Sequence, residues 1–115
     1  MFRKMSMAVA AVMLMAGAAY ADPIEGNWKT QSGETAAIGS CGDGAFCITL
    51  KTGKHAGKQI GKMTASGDGN YAGSITDPAD DKTYKGKAKL NGASIKMSGC
   101  VLGGLICKGQ DWTKL

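Results

Sequence analysis

From Pro23 onward the apolar residues of this chain recur at alternate positions in short runs, and glycine-rich or aspartate-rich turns separate the runs. No window carries a sustained apolar repeat at 3.6 residues, the period with which a helix turns one face to a core. Alternation at period two is what a strand with one buried and one wet face requires, so the chain reads as all-β. Residues 23 to 30 begin the pattern: Ile24, Gly26 and Trp28 fall on one face, and Glu25, Asn27 and Lys29 on the other. Trp28 is the largest apolar group available to seed a core there.

The remaining runs follow in order. Gln31-Ser32-Gly33 turns the chain into residues 34 to 40, and Cys41-Gly42-Asp43-Gly44 turns it into Phe46, Ile48 and Leu50. After a loop over residues 52 to 57, strands are expected at 58 to 64 and 70 to 76. Between them Ser66-Gly67-Asp68-Gly69 is a hairpin signal. Asp77-Pro78-Ala79-Asp80-Asp81 is a turn, because its proline cannot donate to a central ladder. In residues 82 to 90, Tyr84, Gly86, Ala88 and Leu90 alternate with Lys85, Lys87 and Lys89. Asn91-Gly92 is expected to supply both positive-φ residues of a type I′ turn, after which Ile95 and Met97 face inward. A last strand over residues 105 to 114 completes eight. Trp112 shares its face with Lys108 and Gln110, which suggests a bulge in that strand. Eight strands on short loops favour an up-and-down barrel in which residues 111 to 115 close against the Trp28 strand.

The first 21 residues read differently. Arg3 and Lys4 precede an apolar run, and Ala19 and Ala21 flank Tyr20, the pattern of a cleaved secretory signal peptide. The run is shorter than the roughly 20 residues of a spanning helix, and no later stretch is long or apolar enough for a transmembrane segment. Cleavage after Ala21 leaves one domain, residues 22 to 115, in a periplasmic or secreted location. Removing Arg3 and Lys4 takes the basic residues from 14 to 12 against 9 acids, so the net charge falls from +5 to +3. No arginine follows Arg3, which removes the bidentate grip on phosphate and guanine and argues against nucleic-acid binding.

Several segments together resemble one family: Asp-Pro-Ile-Glu-Gly-Asn-Trp-Lys-Thr at 22 to 30, Cys-Gly-Asp-Gly at 41 to 44, Gly-Lys-Gln-Ile at 57 to 60, Tyr-Ala-Gly-Ser-Ile-Thr-Asp-Pro at 71 to 78, Lys-Thr-Tyr at 82 to 84, and Gly-Cys-Val-Leu-Gly-Gly-Leu-Ile-Cys-Lys at 99 to 108 before Trp112-Thr113. The chain is similar over nearly all of residues 22 to 115 to the small exported bacterial proteins grouped as domain of unknown function 2147 (DUF2147). The resemblance implies a lipocalin-like β-barrel in the periplasm, with no established activity. Lys114 stands where the family commonly carries arginine, and the segment after the first cysteine pair, residues 51 to 58, is shorter than the family's.

Cys41, Cys47, Cys100 and Cys107 all lie beyond the signal segment, and their Cys-x5-Cys and Cys-x6-Cys spacings differ from the common zinc spacings. In an exported chain an even number of cysteines reads first as disulfides. Three connectivities exist. Cys41 with Cys47 and Cys100 with Cys107 are preferred because each pair brackets a glycine-rich turn, and zinc is the alternative. The stretch from Asp68 begins like a calcium loop, but Ala72 and Ala79 occupy ligand positions, so it reads as a hairpin and no metal is expected. Asp77, Asp80 and Asp81 read as caps of the proline turn.

His55 is the only histidine. It has no nearby carboxylate in sequence, and no serine sits in a nucleophile-elbow pattern, so no catalytic residue, enzymatic activity or cofactor is expected. Lys85, Lys87 and Lys89 are explained by strand alternation, with weak attraction to anionic envelope lipids at low salt. Two functions remain open. One is a binding module that holds a small apolar or amphipathic ligand inside the barrel, touching Trp28, Phe46, Tyr71, Gly73, Tyr84 and Trp112. The other is a structural or interaction protein of the envelope, of unknown partner, with a filled barrel. The inner volume distinguishes them, and Gly73 is expected to leave space between Tyr71 and Ile75.

Overall fold

A computed structural model describes residues 22 to 115; the expected signal segment, residues 1 to 21, lies outside the described residues. The strands are β1 (Gly26–Lys29), β2 (Thr35–Ser40), β3 (Ala45–Leu50), β4 (Gln59–Gly67), β5 (Asn70–Asp77), β6 (Lys82–Asn91), β7 (Ser94–Val101) and β8 (Ile106–Lys114). Each pairs antiparallel with its sequence neighbours, and β8 returns to β1, giving a closed eight-stranded up-and-down barrel. Closure occurs through Trp28 opposite Lys114 and Lys29 opposite Thr113. The expected meeting of the chain ends on the first strand is therefore present.

Burial follows the alternation. Trp28, Ile38, Ile48, Leu50, Met63, Tyr71, Ala88, Ile95, Met97 and Trp112 form one inner cluster, with Phe46, Ile75 and Leu90 packed against it. Lys85, Lys87 and Lys89 face outward between buried Gly86 and Ala88. The turns β2–β3, β4–β5 and β6–β7 lie at one end of the barrel, together with residues 22 to 25. The turns β1–β2, β3–β4, β5–β6 and β7–β8 lie at the other.

Three local expectations are corrected. The first strand begins at Gly26 rather than Pro23, because Asp22 folds the preceding residues into a turn: its carboxylate accepts from the Ile24 N–H at 3.0 Å, and its carbonyl from the Glu25 N–H at 2.8 Å. The β6–β7 turn is not type I′. Asn91 pairs with Ser94, so the central residues are Gly92 and Ala93, and of these only Gly92 has positive φ (64°). An alanine resists the left-handed region that a type I′ turn demands at both positions. Finally, β8 runs in unbroken register against β7, without a bulge. Irregularities fall instead at Ile48/Thr49 and at Ala65/Gly67, beside the hairpin in which Asp68 and Gly69 take φ of 54° and 78°.

The cysteines are paired as Cys41–Cys47 and Cys100–Cys107, and none is free, which removes the zinc alternative. The first clamps the β2–β3 turn at the end that holds residues 22 to 25. The second joins directly opposed residues of β7 and β8 beneath their turn at the other end.

Candidate functional site

The two ends of the barrel are finished differently. At the end holding residues 22 to 25, Ile24 is fully buried and its carbonyl accepts from the indole N–H of Trp28 at 2.9 Å. The Tyr71 hydroxyl donates to the Asp22 carboxylate, tying β5 to the incoming chain. Burial, then this hydrogen bond and the neighbouring negative charge, push the Tyr71 hydroxyl well above its ordinary pKa of 10.0. Phe46 meets the Tyr71 ring edge-on at 5.9 Å. This end is packed shut.

The opposite end is not filled. A cavity of about 570 Å³ opens there. Leu50, Ile60, Ile75, Tyr84, Met97 and Trp112 contribute its apolar wall. Toward the solvent the lining turns polar, with Glu34, His55, Lys108 and Gln110. Its size falls within the roughly 300–1,000 Å³ of small-molecule pockets, and an apolar interior with a few polar groups is their usual chemistry. Glu34 is held by the β1–β2 turn: Ser32 Oγ donates to its carboxylate at 2.7 Å, and its N–H donates to Thr30 Oγ1 at 3.1 Å. Its side chain lies against Gly53, where a Cβ would come within 2.7 Å of it. The indole N–H of Trp112 donates to Gln110 Oε1 at 2.9 Å, so the ring's polar edge is satisfied while its body stays buried.

One wall is a slot. β1 is only four residues long and pairs with β8 at just two positions, Lys114 and Thr113. Above them, among the described residues, β8 has no neighbouring strand on that side, and a hydrogen bond runs from the Asp111 N–H to the Gln31 side chain at 3.0 Å. The cavity is lined on either side of this gap by Thr30, Ser32 and Glu34 of the β1–β2 turn, and by Ile106, Lys108 and Gln110 of β8.

Of the six residues expected to touch a ligand, Tyr84 and Trp112 line the cavity. Trp28 is fully buried in the core, and Phe46 and Tyr71 pack toward the closed end. Gly73 leaves no space, contrary to expectation: a Cβ there would come within 2.0 Å of the Lys62 carbonyl oxygen and 2.8 Å of the Met63 Cα. The missing side chain allows β4 and β5 to approach rather than opening a pocket. Lys108, Gln110, Glu34 and His55 were not anticipated at the site. The signal for the first two was available, since Lys108 and Gln110 share the parity of Trp112. A polar residue at an inward position of a barrel strand needs either a bulge or an opening to solvent, and here both residues are exposed at the open end of the barrel. Among the described residues no three or more histidine, cysteine, aspartate or glutamate side chains gather as a metal site. The Asp77 and Asp80 carboxylates instead accept from the Ala79 and Lys82 N–H groups of their own turn.

Comparison with known proteins adds one match. The family model described as "Uncharacterized protein conserved in bacteria (DUF2147)" matches residues 26 to 114, and the chain belongs to that family. No curated protein and no solved structure matches the chain.

Proposed function

We propose that this member of the DUF2147 family is an exported binding protein that holds one small amphipathic ligand in the open end of its barrel and performs no chemistry on it. The observation that carries this reading is the unfilled end: about 570 Å³ bounded by Trp112, Met97, Tyr84, Leu50, Ile60 and Ile75, in a barrel whose other end is packed shut. An eight-stranded barrel that serves only as a scaffold fills its interior with side chains. The apolar part of a ligand would lie against Trp112 and Met97, and its polar part would meet Glu34, His55, Lys108 and Gln110 at the mouth. Burying about 300 Å² of apolar ligand surface contributes a gross term of roughly 7.5 kcal/mol before association entropy is subtracted, so micromolar binding is within reach. Export is supported by the residue pattern of positions 1 to 21 and by two disulfides with no free thiol. Among the described residues no helix is long and apolar enough to cross a membrane.

The test is titration of the disulfide-intact protein with an amphipathic fluorescent probe such as anilinonaphthalene sulfonate. Saturable uptake at one probe per chain is expected. Lys108→Trp, which places an indole in the mouth at an exposed inward position of β8, should abolish uptake with the β-sheet circular dichroism unchanged. Absence of saturable uptake by the unaltered protein would refute the binding reading and leave the barrel as a scaffold for its outer surface.

A further inference from the structure

Among the described residues, the largest group of exposed apolar side chains sits beside the cavity slot. In and around the β7–β8 turn Leu105 is 85% exposed, Leu102 67%, Ile106 56% and Val101 43%. Val101 and Ile106 also line the cavity, so the exposed tip and the cavity wall are continuous. Neither backbone nor solvent accounts for leucine at 102. Its φ is +55°, in the left-handed region where glycine and asparagine rest and a leucine is strained, and its side chain projects into water. Gly103 and Gly104 follow at φ of 68° and 98°, and the Cys100–Cys107 disulfide closes the base of the turn. The result is a clamped tip that holds two leucines outward.

The surface running down from that tip is mainly basic. Residues 82 to 110 contain six lysines, at 82, 85, 87, 89, 96 and 108, and no aspartate or glutamate. Lys85 and Lys87 stand on β6 opposite Cys100 and Ser98 of β7, directly below the tip. Among the described residues neither makes a salt bridge, whereas Lys96 pairs with Asp111 at 3.3 Å. An apolar tip flanked by unpaired lysines is complementary to a surface with an apolar interior and an anionic rim.

We propose that the β7–β8 turn is a membrane-docking tip: Leu102 and Leu105 enter an anionic lipid bilayer at its interface, with Lys85 and Lys87 against the phosphate headgroups. Apolar burial and lysine–anionic lipid attraction are the two terms that hold a protein on a membrane surface without spanning it. In this orientation the slot between β1–β2 and β8 lies close to the lipid, on the same side as Val101 and Ile106. The docking does not depend on the cavity being occupied, and probe uptake measured on the same variants separates the two proposals.

The experiment is co-sedimentation of the protein, purified from the periplasm of an exporting host, with vesicles of phosphatidylcholine alone or with phosphatidylglycerol added. Binding is expected only to the phosphatidylglycerol vesicles, and it should weaken as salt rises. Leu102→Asn combined with Leu105→Ser should weaken it at least about tenfold, with circular dichroism and probe uptake unchanged. Asparagine suits the backbone at 102, so this variant is expected to fold. Lys85→Gln with Lys87→Gln should weaken binding and flatten its salt dependence. Equal sedimentation of the leucine variant and the unaltered protein, or no binding to phosphatidylglycerol vesicles, overturns the proposal. So does a dimer in sedimentation velocity that the leucine variant converts to monomer with no change on vesicles, since the tip then covers a second copy of the chain.

Discussion

The Lys114 ammonium, on the last strand, lies 4.7 Å from the centroid of the Trp28 ring, on the first. The two residues are direct cross-strand partners, and the ammonium also donates to the Glu25 carbonyl at 2.8 Å. Gly26 makes room for it: a Cβ there would approach Nζ to 2.9 Å, and the backbone stands at φ +136°. The barrel seam is thus held by a cation over an aromatic face as well as by two ladder positions.

Lys114→Ala should cost roughly 0.5–1 kcal/mol, the range for a cation–π contact at an exposed lysine. Gly26→Ala should cost more, because strain at positive φ and the collision with Lys114 act together. Denaturant unfolding measures both, and equal stability of Gly26→Ala and the unaltered protein would contradict this account of the seam.

Gly73 and Gly39 should respond oppositely to the same change. A Cβ at Gly73 meets the backbone of β4, which cannot move without parting two strands, so Gly73→Ala should destabilise by about 1–3 kcal/mol or more. At Gly39 nothing lies within 4 Å and φ is not in the left-handed region, so Gly39→Ala should be neutral or stabilise by up to about 1 kcal/mol. Thermal unfolding of the two variants in parallel tests the contrast.

Each disulfide closes a short local loop, with sequence separations of 6 and 7. Replacing either pair by serine should cost roughly 2.5 kcal/mol in the chain-entropy account. Peptide mapping without reductant should recover Cys41 with Cys47 and Cys100 with Cys107 only. A peptide joining the two ends of the barrel would contradict the pairing.

Tyr71 should make the protein sensitive to alkali. Its folded pKa is raised above the ordinary 10.0, so between the unfolded and folded values the folded state keeps a proton that the unfolded state has lost. Stability from this group is fully present below about pH 10 and falls as pH rises beyond it, by about 1.4 kcal/mol per pH unit. Tyr71→Phe should remove that slope while costing about 1 kcal/mol near neutrality through the lost bond to Asp22. An unaltered alkaline slope in the phenylalanine variant would assign the effect to another group.

What the sequence determined was whatever depends on period and local geometry. Alternation in residues 82 to 90 placed Lys85, Lys87 and Lys89 outside and Tyr84 and Ala88 inside, because strand side chains change face at every residue. Glycine-rich turns between paired cysteines located both disulfides, since seven- or eight-residue loops close on themselves. Tertiary structure decided everything that depends on the distance between strands far apart in sequence. Gly73 looked like empty space on its own strand, and only the approach of Lys62 and Met63 shows it to be a contact. Lys108 and Gln110 looked like a parity error in β8 until the short β1 left their side of the barrel open. A cavity is the volume that eight walls fail to fill, and no single strand carries that information. The period assigns each side chain a face, but the staggered closure of β1 on β8 sets how much room that face encloses.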